Sequence, residues 1–152
     1  MNNILIYTFF NYTKKSSKGL YIYENKNINK LFISHTFSTN KLLDLIPKYR
    51  YVIGIADQRK NSKKSRFDTK YVNRYGKRNI LENGFEYIYS NLDIKLPDTF
   101  YKYEKTTNGP CNRSAYLIMD RIINEELDTK FGFFHLSKEN ISDELKTILD
   151  LL

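Results

Sequence analysis

The sequence predicts an α/β protein with a mixed sheet, and three observations carry that prediction. Residues 3–10 (NILIYTFF) and 51–56 (YVIGIA) are unbroken apolar runs, the pattern of strands buried on both faces. A short helical stretch with its own start and stop signals lies between them. A longer apolar-periodic helix after Cys111 leads into another apolar strand, so strands and helices interleave along the chain as they do in layered α/β folds.

The elements follow in order. Residues 3–10 form the first strand, and the polar loop 11–19 follows its carboxyl end, where open α/β sheets place their ligands. Residues 19–23 read as a short strand, 24–29 as a polar turn and 30–37 as a further strand. Residues 40–46 form a short helix, with Thr39 or Asn40 as cap and Pro47 ending it. After the strand 51–56 comes a lysine-rich loop, 57–65. Residues 66–73 (RFDTKYVN) alternate weakly and suggest an edge strand. Residues 74–84 are loop-like, and 85–92 leave strand and short helix open. Residues 100–105 (FYKYEK) alternate aromatic with charged side chains, as a half-exposed strand does.

In the helix that follows, Cys111, Ala115, Ile118 and Ile122 share one face, which turns the thiol inward. Residues 131–136 form the last strand. Residues 142–151 (SDELKTILDL) open with a capping serine and two acids, which suit the positive end of a closing helix.

Composition narrows the functional classes. The chain of 152 residues is expected to form one domain over residues 1–152. It is 41% hydrophobic and 15% aromatic, enough for a folded core. No apolar run is long enough to cross a membrane as a helix, so no membrane partner is expected. The N-terminus carries no basic region or cleavage site of a signal peptide, which points to the cytoplasm. One cysteine excludes an internal disulfide and a cysteine-rich metal site. The net charge of +8 is compatible with an acidic partner, but Lys, Asn, Ile and Tyr are over-used together, as a composition bias produces. The basic stretches also lack interleaved aromatics for stacking on bases, so a nucleic-acid-binding role ranks last.

Chemistry concentrates in residues 108–137. The turn Asn108-Gly109-Pro110 delivers Cys111 to the start of a helix, where the dipole and the first-turn N–H groups favour a thiolate and can hold an oxyanion. The last strand delivers His135, one of two histidines. The other, His35, sits in the run FISHTF and reads as structural. A buried structural cysteine and a core histidine are the alternatives to a Cys111–His135 dyad. A third group would orient the imidazole, and seventeen acids are too many to choose from by pattern.

The chain resembles the pyroglutamyl-peptidase I (pyrrolidone-carboxylate peptidase) family. Cys111-Asn112 resembles its Cys-Asn pair, and Gly132-Phe133-Phe134-His135-Leu136 its G-F-I-H-V strand. The 24 positions between Cys111 and His135 are like the family's separation. The opening ILIYTFFNY and the run VIGIADQR from Val52 are similar to its first strand and to its apolar strand ending in Gly and Arg. Asn73 and Arg78 resemble its N-x-x-D-A-R element.

The resemblance implies a three-layer α/β/α, phosphorylase/hydrolase-like fold and a cysteine peptidase that removes N-terminal pyroglutamate without a metal or cofactor. It makes Cys111 the nucleophile and His135 the base. Asp68 stands at the family's glutamate, one methylene shorter. Arg78 is placed near the oxyanion, and Phe9, Phe10 and Tyr12 against the lactam ring. The expected partner is a peptide with N-terminal pyroglutamate, and a homo-oligomer is compatible with this reading. The chain departs from the family in its shorter length, in proline directly before the cysteine, and in Thr8-Phe9 and Tyr12 at pocket positions. These departures favour, as the alternative, a diverged member that binds or cleaves another small acyl compound.

Overall fold

The computed structural model describes residues 2–9, 27–33, 39–58 and 62–152. The expected strand at 19–23, and Phe10, Tyr12 and His35, lie outside the described residues.

Strands β1 (Asn2–Phe9), β2 (Ile28–Ile33), β3 (Tyr49–Asp57), β4 (Ser65–Asp68), β7 (Phe100–Tyr103) and β8 (Lys130–Leu136) build one six-stranded sheet in the order β2-β1-β3-β8-β4-β7. The first four in that order are mutually parallel. β4 runs antiparallel to β8 and parallel to β7, so the sheet is mixed as expected. Strands β5 (Lys70–Val72) and β6 (Tyr87–Tyr89) form a separate antiparallel ribbon. The helices among the described residues are α1 (Thr39–Leu45), continued by a 3-10 turn at Ile46–Lys48, α2 (Pro110–Asn124) and α3 (Ile141–Asp150). None among the described residues is long and apolar enough to span a membrane.

Pleating divides the core in two. On one face Leu5, Tyr7, Val52, Phe131 and Phe133 pack with Leu42 of α1 and with Cys111, Ala115, Ile118 and Ile122 of α2. On the other, Ile6, Ile53, Ile55, Phe67 and Phe134 pack with Ile141, Leu145 and Ile148 of α3. The inward face expected for α2 is therefore the observed one. Gly54 sits in the middle of the first layer, between Tyr7 and Phe133 in the strand registers. A Cβ there would lie 2.3 Å from Phe133 Cδ2 and 2.8 Å from Tyr7 Cζ. Glycine is what lets the two rings close over β3.

Three elements differ from the sequence expectation, and one that it left open is settled. The stretch 66–73 is not one edge strand: it divides at Thr69, whose N–H donates to the Tyr103 carbonyl, and β4 lies inside the sheet between β8 and β7. All four β4 residues are buried, because Arg66 and Asp68 neutralise one another there. Polar letters in that strand therefore do not mark solvent. The open stretch 85–92 resolves as β6. The closing helix starts at Ile141 with Asn140, not Ser142, at its cap position, because Ile141 is drawn into the α3 core layer. The strand expected at 30–37 begins two residues earlier, at Ile28, and is described as far as Ile33.

Candidate active site

The site forms at the carboxyl ends of the parallel strands β3 and β8, where the N-terminus of α2 meets them. Gly109 caps α2 in extended geometry and Pro110 occupies its first turn, a position that loses no hydrogen bond because the first N–H groups of a helix have no acceptor within it. Cys111 follows, 5% exposed. Asn112 ties this end of the helix to β5: its carboxamide oxygen accepts from the Val72 N–H, and its nitrogen donates to the Val72 and Arg74 carbonyls, each at 2.9 Å. The likeness to a Cys-Asn pair marked Asn112 without giving it a task. Its task is to fix where α2, and hence the cysteine, begins.

Below the cysteine, Ser114 Oγ donates to the Cys111 carbonyl (3.0 Å) and lies 2.9 Å from the Tyr7 hydroxyl. Burial pushes the Tyr7 phenol well above its ordinary range. The Ser114 hydrogen bond offsets that in part, and negative charge on Cys111 adds to it. Tyr7 therefore supports the helix end as a neutral hydroxyl.

His135 projects from the carboxyl end of β8 on the same sheet face. Its ladder neighbours are Ala56 on β3 and Arg66 on β4. Residues 66 and 68 alternate onto that face too, so Arg66 and Asp68 both reach the ring. Asp68 Oδ2 lies 3.3 Å from His135 Nδ1, an ion-pair distance that is long for a hydrogen bond. The other carboxylate oxygen accepts from Arg66 Nε at 2.7 Å. Asp68 is 8% exposed, so it is not a solvated edge acid.

Cys111 and His135 line one cavity of about 290 Å³, together with Asp57, Gln58, Arg66 and the turn Thr107–Pro110. A larger hollow of about 620 Å³, walled by Asn73, Arg74, Glu86 and Tyr87, shares Thr107 and Asn108 with it. The smaller one carries the thiol and the imidazole. A thiol at a helix N-terminus that shares a cavity with an imidazole can act with it as a nucleophile–base pair.

The remaining expected residues fall elsewhere. Phe9 does not line this cavity: its ring, 2% exposed, is part of the core and meets Tyr7 edge-on, because β1 alternation turns it under α2 with Leu5 and Tyr7. Arg78 is exposed on the turn where Tyr75 and Arg78 exchange backbone hydrogen bonds, and it is not in the cavity wall. That turn docks on the site's loop through the Gly76 N–H, which donates to the Asn108 carbonyl. Asn73 serves the same segment by bridging to Leu81 in both directions (2.7 and 2.8 Å). Arg66 was missed by sequence reading. Its signal was present, a cation two residues before an acid in a predicted strand, but alternation alone does not say that the pair is buried.

The architecture defines the class first: a mixed sheet between helical layers, with the fold of the pyrrolidone carboxyl peptidases. Pyroglutamyl peptidase I of Bacillus amyloliquefaciens superposes with a TM-score of 0.79 at 15% identity, over 96% of this chain and 94% of that one. Pyrrolidone carboxyl peptidase from Thermus thermophilus gives 0.78 at 14%, over 98% and 100%. The Thermococcus litoralis enzyme gives 0.72 at 14%, over 90% and 77%. No protein-family model and no curated protein matches the sequence, so the likeness is one of fold.

Proposed function

We propose that this chain is a cysteine peptidase of the pyroglutamyl-peptidase type, acting on an N-terminal pyroglutamyl amide. The observation that supports this best is that Cys111 and His135 line one cavity, on a fold shared with pyroglutamyl peptidases. In this reading His135 takes the thiol proton, and the Cys111 sulfur attacks the lactam residue's amide carbon, forming a C–S bond. The oxyanion faces the N–H groups of the first turn of α2. Collapse breaks the C–N bond as His135 returns its proton to the leaving amine. Water, deprotonated by His135, then hydrolyses the thioester. Asp68 orients the imidazole through Nδ1. The mechanism calls on no metal or cofactor.

The test is fluorophore release from a pyroglutamyl amide. Activity is expected in the wild type and should vanish in Cys111→Ala and His135→Ala variants that still fold. Activity that survives Cys111→Ala would sink the mechanism.

A second reading has its own support. Phe9 is committed to the core and does not wall the cavity, and Arg66 does. Among the described residues the wall is polar, which suits a small acyl group other than the lactam. A panel of acyl amides separates the two: preference for pyroglutamyl supports the first, and Cys111-dependent cleavage of another acyl group supports the second.

A further inference from the structure

Among the described residues, the Arg66 guanidinium is the charged group that reaches Asp68, His135 and the cavity together. Its Nε donates to Asp68 Oδ1 at 2.7 Å, and Nη2 lies 3.4 Å from Oδ2. Its carbon stands 4.2 Å from the centre of the Tyr103 ring, cation–π distance. Nη2 is also 3.2 Å from His135 Nδ1 and 3.5 Å from Nε2. Those two distances are nearly equal, although the ring nitrogens' lone pairs point in different directions. A donor in line with one nitrogen would be far from the other, so Nη2 lies over the ring and occupies neither in-plane position. Asp68 Oδ2 stands 3.3 Å from Nδ1. Arg66 is 6% exposed, and its strand partner in register is His135.

We propose that Arg66 is a positioning residue of the dyad: held by Asp68 and Tyr103, it presses on the face of His135 and sets the plane of the imidazole. This rests on the dyad reading above but not on the identity of the acyl group. Among the described residues, the charged and titratable groups at this end of the cavity are Arg66 and Asp68 from β4, Cys111 from α2, Asp57 from β3 with its ion-pair partner Lys138 at 3.9 Å, and Tyr103 from β7 behind Arg66. Of these, Arg66 is the cation against the ring face. A fixed positive charge makes nearby protons easier to lose, so its removal has one sign: pH-dependent steps at the site move to higher pH.

Two readouts test this. One is the pH–rate profile for hydrolysis of a pyroglutamyl amide. The other is the pH dependence of alkylation by iodoacetamide, which reports one site because Cys111 is the sole cysteine. Arg66→Met, which removes charge and fork, should shift both profiles upward by about one pH unit and lower the plateau rates at least about tenfold. Arg66→Lys should keep the profiles and lose about tenfold at the plateau, because charge stays and the planar fork goes. Tyr103→Leu, which removes the backing ring and no charge, should behave like Arg66→Lys. It decides the question if thermal unfolding shows that Arg66→Met does not fold. Wild-type profiles and plateaus in both readouts, for Arg66→Met or for Tyr103→Leu, would reduce Arg66 to a structural ion pair. Should no variant or wild type hydrolyse the amide while alkylation shifts as expected, the positioning role stands and the pyroglutamyl assignment falls.

Discussion

Arg66 and His135 face each other across the antiparallel β4–β8 ladder, and Asp68, two residues along β4, brings its carboxylate to within 3.3 Å of the same imidazole. Strand pairing thus puts a base, an acid and a cation on one sheet face. The parallel β3–β8 pairing then sets that face at a carboxyl-end cavity under the first turn of α2. None of the three is a neighbour of Cys111 in sequence. Each arrives there through a backbone register.

Asp68→Asn should show how closely this acid is bound into the cluster. It leaves the buried Arg66 without its charge partner, a loss of about 2–4 kcal/mol after allowing for slight exposure. It also removes the anion beside His135 Nδ1, so kcat for amide hydrolysis should fall by about 10²–10⁴ with little change in KM. Urea unfolding and steady-state kinetics on the same preparation check both effects. A variant of wild-type kcat would remove Asp68 from the mechanism.

Gly54→Ala tests the ring packing under the site. The new methyl would overlap Phe133 Cδ2, 2.3 Å away, and the Tyr7 ring at 2.8 Å, both fully buried. Overpacking of this kind costs about 1–3 kcal/mol. Because Phe133 also contacts the His135 ring, with centroids 5.2 Å apart, activity should fall along with the unfolding midpoint. An unchanged midpoint would mean that the layer is looser than these distances imply.

For Asn112→Ala, the Val72 N–H and the Val72 and Arg74 carbonyls all lose their side-chain partner. Leaving such groups unsatisfied costs about 1–3 kcal/mol. The damage should be local: hydrogen exchange should speed up in β5 and β6 before it does in the six-stranded sheet. Uniform acceleration would count against this account of Asn112.

Glu144 links stability to pH. Burial raises its carboxyl above the ordinary 4.5, with the Thr99 hydroxyl bond pulling back and Asp143 adding to the rise. The folded chain therefore holds this proton more tightly than the unfolded chain does. Its contribution is full below the unfolded value and is lost as pH rises through the folded one. Glu144→Gln should melt about 2 °C above wild type at neutral pH, and the gain should disappear in acid. An equal gain at both pH values would show that ionisation is not its cause.

Much of this protein was legible in one dimension. Continuous apolar runs fixed β1 and β3 as central strands, because a strand covered on both faces has no polar side to show. The i, i+4, i+7 spacing after Gly109-Pro110 fixed which face of α2 is buried, and so where Cys111 points. Tertiary structure alone decided the rest. Alternation assigns polar residues to solvent, so it could not reveal that Arg66 and Asp68 enter the sheet as a mutually neutralising pair. It could not turn Phe9 into the core, hold Arg78 on an exposed turn, or bring Asn112 to β5. Those outcomes depend on which strands pair and in what register. The energies that choose a register come from side chains far apart along the chain.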